Sequence, residues 1–464
     1  MRCLTLLLTA TIVSVTSAAE LTRIPLYKRW NSPGLKKEPM IYDDGLLVAK
    51  MQVGTPPQDF DVLFDTSSSL AWVPSTKEIE KQNKTKQRKL ELEPEHCHSS
   101  ECRQHDNRFE ANHSSTAVNL HKKQSIIFGD GKCIDVELYR DTISVAGLPV
   151  TDQLFGSAYS VSGIGDSKYM GMLGLGGFAE DGSTDYLNST NKKATAGSRE
   201  IWSRQYSNTG GYAQNGFGMG YGQQSQQFGM YQTAGSGFIS KRWNQPDAEF
   251  IFGGVDHTVY KGKIAYLPLP TCDYGDSPYW KATLTCVKLG HKVDIKLAPK
   301  SLASMNSGTK FISAPEKQAD LLHKAIGATY DSETHTYQMK CCEVDKLPDL
   351  EFSFQGYKIT LPPSQWTAKT KHDDEMCYTM IRRNTHEKDW ILGMSFLNNF
   401  YHIYDLGNKR IGLAVTKSNT KAVIRKTDIH KNPFTKKNRS LSRLFFFFFN
   451  HCPVLRRRTL VAFL

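Results

Sequence analysis

Short apolar or alternating runs recur along the chain, each cut off by Gly, Pro or Asp. In the first half they are Leu46–Val53, Phe60–Phe64, Ser125–Phe128 and Ile134–Val145; the same texture returns at Phe250–Gly254, Lys263–Leu269, Leu350–Leu361 and Ile403–Val415. Runs of this length bury one face of a strand and are bounded by turn residues, so they predict an all-β protein. Helical spacing is scarce. Glu316–Ile326 is the best candidate, with Pro315 at its start and Gly327 just past its end.

Two segments break the pattern. Thr76–His96 is crowded with Lys and Glu and reads as an exposed insertion. Thr209–Gly237 is rich in Gly, Gln, Tyr, Asn and Met. Such a composition buries too little apolar surface to offset ordering entropy, so residues 196–237 are expected to be a low-complexity insertion. It falls between an N-terminal unit, 41–195, and a C-terminal unit, 238–416.

Length and composition fit this division. The chain has 464 residues, 39% of them hydrophobic and 11% aromatic, enough for two units with a large core. The formal net charge is +12, but from Lys417 to the end there are twelve Lys and Arg against one acid, Asp428. The basic balance therefore belongs to the segment 417–464, expected to be a disordered tail, and no nucleic-acid partner is expected.

The N-terminus reads as an address. An apolar run, Leu4–Val15, is followed by Ser17-Ala18-Ala19, the layout of a secretory signal peptide over 1–19. It is too short to span a membrane comfortably, and no later stretch is better, so no transmembrane anchor is expected. A secreted product, or one in the lumen of the secretory or lysosomal pathway, follows. Ten cysteines agree, as do sequons at Asn83, Asn112 and Asn188.

A faint internal repeat points to the chemistry. Val62–Ser67 ends an apolar run with Asp65 and is followed about a hundred residues later by Met172-Leu173-Gly174-Leu175; Ser304–Thr309 carries Asn306 and is followed at similar spacing by Ile391-Leu392-Gly393. In Phe64–Leu70, F-D-T-S-S-S-L, a strand delivers a carboxylate into a turn of Thr and Ser. Their hydroxyls and amides can orient it. Val53-Gly54-Thr55-Pro56-Pro57-Gln58 precedes this turn and Ala71-Trp72-Val73-Pro74-Ser75 follows it.

That arrangement closely resembles the pepsin-like aspartic proteases. The resemblance continues through Cys97–Cys102, Ser114–Thr116, Ile126–Gly131, Phe252–Asp256, Tyr279-Trp280, Leu347–Leu350, Trp390–Gly393 and Tyr404–Gly407. It spans roughly Ile41 to Thr416, and Leu21–Arg29 resembles the opening of the family propeptide, here shortened within 20–40. It implies a monomeric bilobal acid-protease fold with pseudo-twofold duplication, a central cleft for an extended peptide or protein, and a β-hairpin flap at about Gln124–Cys133. It also implies disulfides: Cys97 with Cys102, Cys377 with either Cys341 or Cys342, and Cys272 with Cys286 across a hairpin. Cys133 is left without an obvious partner. No metal or nucleotide motif occurs, and no cofactor is expected.

In the family two carboxylates share one proton and exchange acid and base roles. Here the resemblance carries the first aspartate onto Asp65 and the second onto Asn306. The active-site loops are then Thr66, Ser67 and Ser68, and Ser307, Gly308, Thr309 and Lys310. Five positions depart from the family pattern. Besides Asn306, Ser67 replaces a glycine, Ser307 a threonine, Lys310 adds a potential cation, and Phe128, before Gly129 of the flap, replaces a tyrosine. An amide neither shares the dyad proton nor acts as a base. The expected product is a secreted peptide- or protein-binding pseudoprotease, and the alternative is a weakly active acid endopeptidase relying on Asp65.

Overall fold

The computed structural model describes residues 36–43, 45–68, 70–76, 107–128, 133–162, 169–176, 227–233, 246–270, 280–370, 373, 375–384, 389–418 and 421–427. The expected signal peptide, Asn83, Asn188, Cys97, Cys102, Cys272 and Gly129 lie outside these residues, as do 196–226 and 428–464.

Strands dominate the described residues, as the alternating runs require. The largest sheet has 13 strands. It starts at Ala265–Pro268, passes through Arg410–Val415, Phe400–Asp405, Gln227–Gln232, Ala248–Phe252, Lys36–Asp43, Leu46–Val53 and Gln58–Asp65, and ends at the hairpin Val118–Ile127/Cys133–Val145 and its neighbour Leu148–Ser162. A second sheet is built around Lys281–Leu289 and Leu302–Met305, and a third, four-stranded one includes Thr336–Lys340 and Met376–Thr379. Leu350–Leu361 is two strands, Leu350–Phe354 and Tyr357–Leu361, folded back at Gly356.

The helix Glu316–Ile326 forms as its sequence predicts. Gly327 takes the left-handed conformation past its end, and its N–H meets the carbonyls of His323 and Lys324.

Three segments outside the apolar runs picked out above contribute strands. Gln227–Gln232, inside the low-complexity stretch, pairs with Ala248–Phe252 on one side and Phe400–Asp405 on the other. Composition hid its alternation: Phe228 and Met230 are buried, and Gly229 between them packs so tightly that a Cβ would lie 2.5 Å from Tyr401 Cε2. Lys36–Asp43 overlaps the propeptide-like segment yet pairs with Ala248–Phe252 and Leu46–Val53. Lys37 Nζ lies 2.6 Å from Asp256, which is 1% exposed, and 3.1 Å from Glu249. Val423–Lys426, within the tail expected to be disordered, pairs antiparallel with Tyr357–Leu361. Ile424 packs against the core there, and Ala422 is buried.

The cysteines correct one expectation and resolve another. Cys341 bonds Cys377, with an S–S distance of 2.03 Å, and Cys342 is a free, exposed thiol. Cys286 is also free, so no Cys272–Cys286 bridge forms; its thiol donates to Asp294 Oδ1 at 3.1 Å instead. Burial, with help from Asp294, pushes the Cys286 thiol up to about 11, which keeps it protonated and unreactive. Cys133 is free, as its lack of a partner in the sequence implied. Asn112 is exposed on a short turn.

Candidate active site

Two strand ends meet at the site. Gln58–Asp65 runs parallel to Gly171–Gly174, and Asp65 stands opposite Gly174. Leu302–Met305 runs parallel to Trp390–Leu392, with Met305 opposite Leu392. Both inner strands are buried near these ends, as parallel strands covered on both faces are. Each therefore ends rigidly and hands the chain to a turn of small polar residues.

Asp65 is 3% exposed. Its Oδ1 accepts the Ser67 N–H at 2.8 Å and the Ser67 hydroxyl at 2.7 Å; its Oδ2 accepts the Ser68 hydroxyl at 2.5 Å. Ser67 thus adds a donor that a glycine at this position lacks. Asn306 is arranged in the same way at the second turn: its Oδ1 accepts the Gly308 N–H at 2.8 Å. The other arm of the Asn306 side chain is an NH2 group, a donor with no basic lone pair.

The turns are tied in both directions. Thr66 donates its N–H to Ser307 Oγ at 3.0 Å and its hydroxyl to the Met305 carbonyl at 2.8 Å. Ser307 donates its N–H to Thr66 Oγ1 at 3.0 Å and its hydroxyl to the Phe64 carbonyl at 2.6 Å. Both residues are fully buried. Ser307 keeps the hydroxyl of the threonine it replaces, so this departure leaves the tie whole. Gly308 closes the site: a Cβ there would lie 2.4 Å from Asp65 Cγ, so only a hydrogen fits.

Beneath the turns lies a pair that the alternating pattern concealed. The hydroxyl of Tyr404, which is fully buried, lies 3.1 Å from His402 Nδ1. Burial pushes the Tyr404 hydroxyl well above its ordinary range and drives His402 down to about 3. His402 Nε2 has no hydrogen-bond partner. A histidine in an otherwise apolar strand, F-Y-H-I-Y-D, was the signal that could have been read.

Phe128 packs at the edge of a second apolar cluster that contains Trp72, Val136 and Leu154. Trp72 Nε1 is buried there without a partner. Lys310 is half-buried at the end of the second turn, its stem against Gly45.

Residues 47–416 match the model of the eukaryotic aspartyl protease family. The chain belongs to this family. Among its relatives, pepsin A of Suncus murinus is 28% identical over 384 residues, 82% of this chain and 84% of that protein. Gastricsin of Homo sapiens is 27% identical over 398 residues, covering 84% and 87%. Cathepsin E-B of Xenopus laevis is 27% identical over 394 residues, covering 83% of each. The aspartyl protease match ends at Thr416, so the strand Val423–Lys426 lies beyond it. Among the described residues no helix is long and apolar enough to cross a membrane.

Proposed function

We propose that this chain is a secreted, pepsin-like pseudoprotease that holds extended peptides or proteins in its cleft without hydrolysing them. The observation that carries this reading is Asn306, oriented by Gly308 just as Asp65 is oriented by Ser67. Family catalysis needs an acid and a base that exchange roles, and a carboxamide does neither. Losing one such group typically costs about 10²–10⁴-fold in rate. The retained Thr66–Ser307 tie supports a scaffold kept for binding.

The intact Asp65, with its three donors, favours a second reading, weak acid proteolysis through Asp65 alone. Cleavage of a quenched-fluorescence peptide library across the acid range separates the two. The full secreted chain is compared with Asp65→Ala and Asn306→Asp. A silent wild type and an active Asn306→Asp are expected. Hydrolysis by the wild type that disappears in Asp65→Ala overturns the pseudoprotease reading.

A further inference from the structure

Five strands pair antiparallel in the order Val293–Lys296, Lys281–Leu289, Leu350–Phe354, Tyr357–Leu361 and Val423–Lys426. Their registers line residues up in rows that cross the sheet. One row, Ile295, Val287, Phe352, Ile359 and Ile424, packs on the core. Neighbours along each strand point the opposite way, so the adjoining row faces solvent. It runs Lys296, Cys286, Ser353, Lys358, Arg425. With strands about 4.8 Å apart, the row is about 19 Å long.

The row has a shape as well as a charge. Long cations stand at its ends, Lys296 on one side and Lys358 and Arg425 on the other, and two small side chains, Cys286 and Ser353, form its middle. Lys296 and Arg425 are exposed. Beside the row, Lys288 Nζ meets Asp294 at 2.7 Å and Lys358 Nζ meets Glu351 at 3.0 Å. These acids are thus engaged, and Lys288, Lys296, Lys358 and Arg425 against Asp294 and Glu351 leave a surplus of two positive charges. Arg425 comes from the strand beyond the aspartyl protease match, so that end of the row belongs to this chain's own extension.

A protein partner is held mainly by aromatic or arginine anchors near the centre of its contact, whereas the centre here is a cysteine and a serine. A linear polymer with repeated negative charges needs a flat path and spaced cations, which the row provides. We propose that this row binds a linear sulfated polysaccharide laid across the five strands. Its sulfate groups meet Lys296, Lys358 and Arg425, and the Ser353 hydroxyl donates to an oxygen of the polymer between them. The inference goes beyond the peptide-binding reading and does not depend on it.

The test uses the full chain and heparin, read by isothermal titration calorimetry over a series of salt concentrations. Heparin is expected to bind, and less tightly as salt rises, because each cation that meets the polymer releases counterions. Lys296→Gln/Arg425→Gln is expected to weaken binding about tenfold and to lower the slope of log K against log salt by about two. Lys296→Arg/Arg425→Lys keeps both charges and should keep both quantities. Ser353→Glu places an acid in the middle of the row and should also weaken binding about tenfold. Arg439→Gln/Arg443→Gln removes the same charge from the sequence beyond the strand and is expected to weaken binding by about twofold at most. No binding of heparin by the wild type at low salt overturns the proposal. So does an equal loss in the Arg439/Arg443 and Lys296/Arg425 pairs, which would assign the affinity to net charge. Polyglutamate that binds as tightly as heparin overturns it too, in favour of an acidic protein.

Discussion

Gly308 comes so close to Asp65 that an added methyl carbon would lie 2.4 Å from the carboxylate carbon. The contact crosses from the second turn to the first, so it fixes the two site residues against each other. Gly308→Ala is expected to destabilise by about 1–3 kcal/mol through overpacking. Urea unfolding measures this. The double variant Gly308→Ala/Asp65→Ala should lose less than the sum of the singles, because removing the carboxylate makes room for the methyl group. Strict additivity would show that the strain lies elsewhere.

Thr66 and Ser307 make a second, independent prediction. Ser307→Ala strands the Thr66 N–H and the Phe64 carbonyl, both buried. Each orphaned group costs about 1–3 kcal/mol. Ser307→Thr keeps the hydroxyl and is expected to cost less than about 1.5 kcal/mol. Midpoints of urea unfolding compare the two; similar losses would mean that volume, not hydrogen bonding, decides.

Acid should weaken the fold through two histidines. Burial holds His402 at about 3 and His323 at about 4, below the ordinary 6.5. His323 is satisfied as a neutral ring, between the Ala319 carbonyl and the Thr379 hydroxyl, and is stacked on Tyr337. The unfolded chain therefore binds more protons than the folded one below pH 6.5. Their contribution is fully present above that value and is lost as pH falls toward 4 and 3, by about 1 kcal/mol per unit for each ring. Glu38 opposes them: burial raises it to about 7, so the folded form gains a proton that the unfolded one takes up only in acid. One Glu against two His leaves a net loss of stability from pH 6.5 downward. Thermal melts at pH 7 and pH 4.5 should show it, and His402→Gln should flatten the difference. A melting temperature that rises in acid would contradict this accounting.

The strand beyond the aspartyl protease match yields a fourth prediction. Val423–Lys426 covers the edge of Tyr357–Leu361 and buries Ala422 and part of Ile424. Ending the chain at Thr416 is expected to cost about 2 kcal/mol in apolar burial and to open a sheet edge to self-association. Ending it at Thr427 should cost nothing measurable. Differential scanning calorimetry with light scattering distinguishes them; identical behaviour of both truncations would deny the strand a structural role.

Much of this was legible in the sequence. The alternating runs and the helix Glu316–Ile326 appear where hydrophobic period, Pro315 and Gly327 place them. Asp65 was readable because it ends an apolar strand at a Thr-Ser turn. Composition misled where a tight packing site uses glycine: Gly229 reads as flexible, yet it is the residue that lets Tyr401 lie against the sheet. The Val423–Lys426 strand was hidden by its charge, since Arg425 and Lys426 face solvent while Ile424 alone turns inward. Cys286 was given a disulfide partner by analogy, whereas it is a free thiol that donates to Asp294. Ser307 looked like a loss by comparison with threonine, but its hydroxyl reaches the same partners that hold the turns together.

The ion pair between Lys37 and Asp256 sets a limit on how this protein is trimmed. Asp256 is almost completely enclosed, and Lys37 Nζ sits 2.6 Å away on a strand that joins two others. A cut after Lys37 would remove the cation and leave an enclosed carboxylate uncompensated, a change that costs far more than any exposed pair. The pair therefore works as a ruler. Any cut that is to leave the fold intact has to fall upstream of Lys36, at a point dictated by electrostatics inside the sheet.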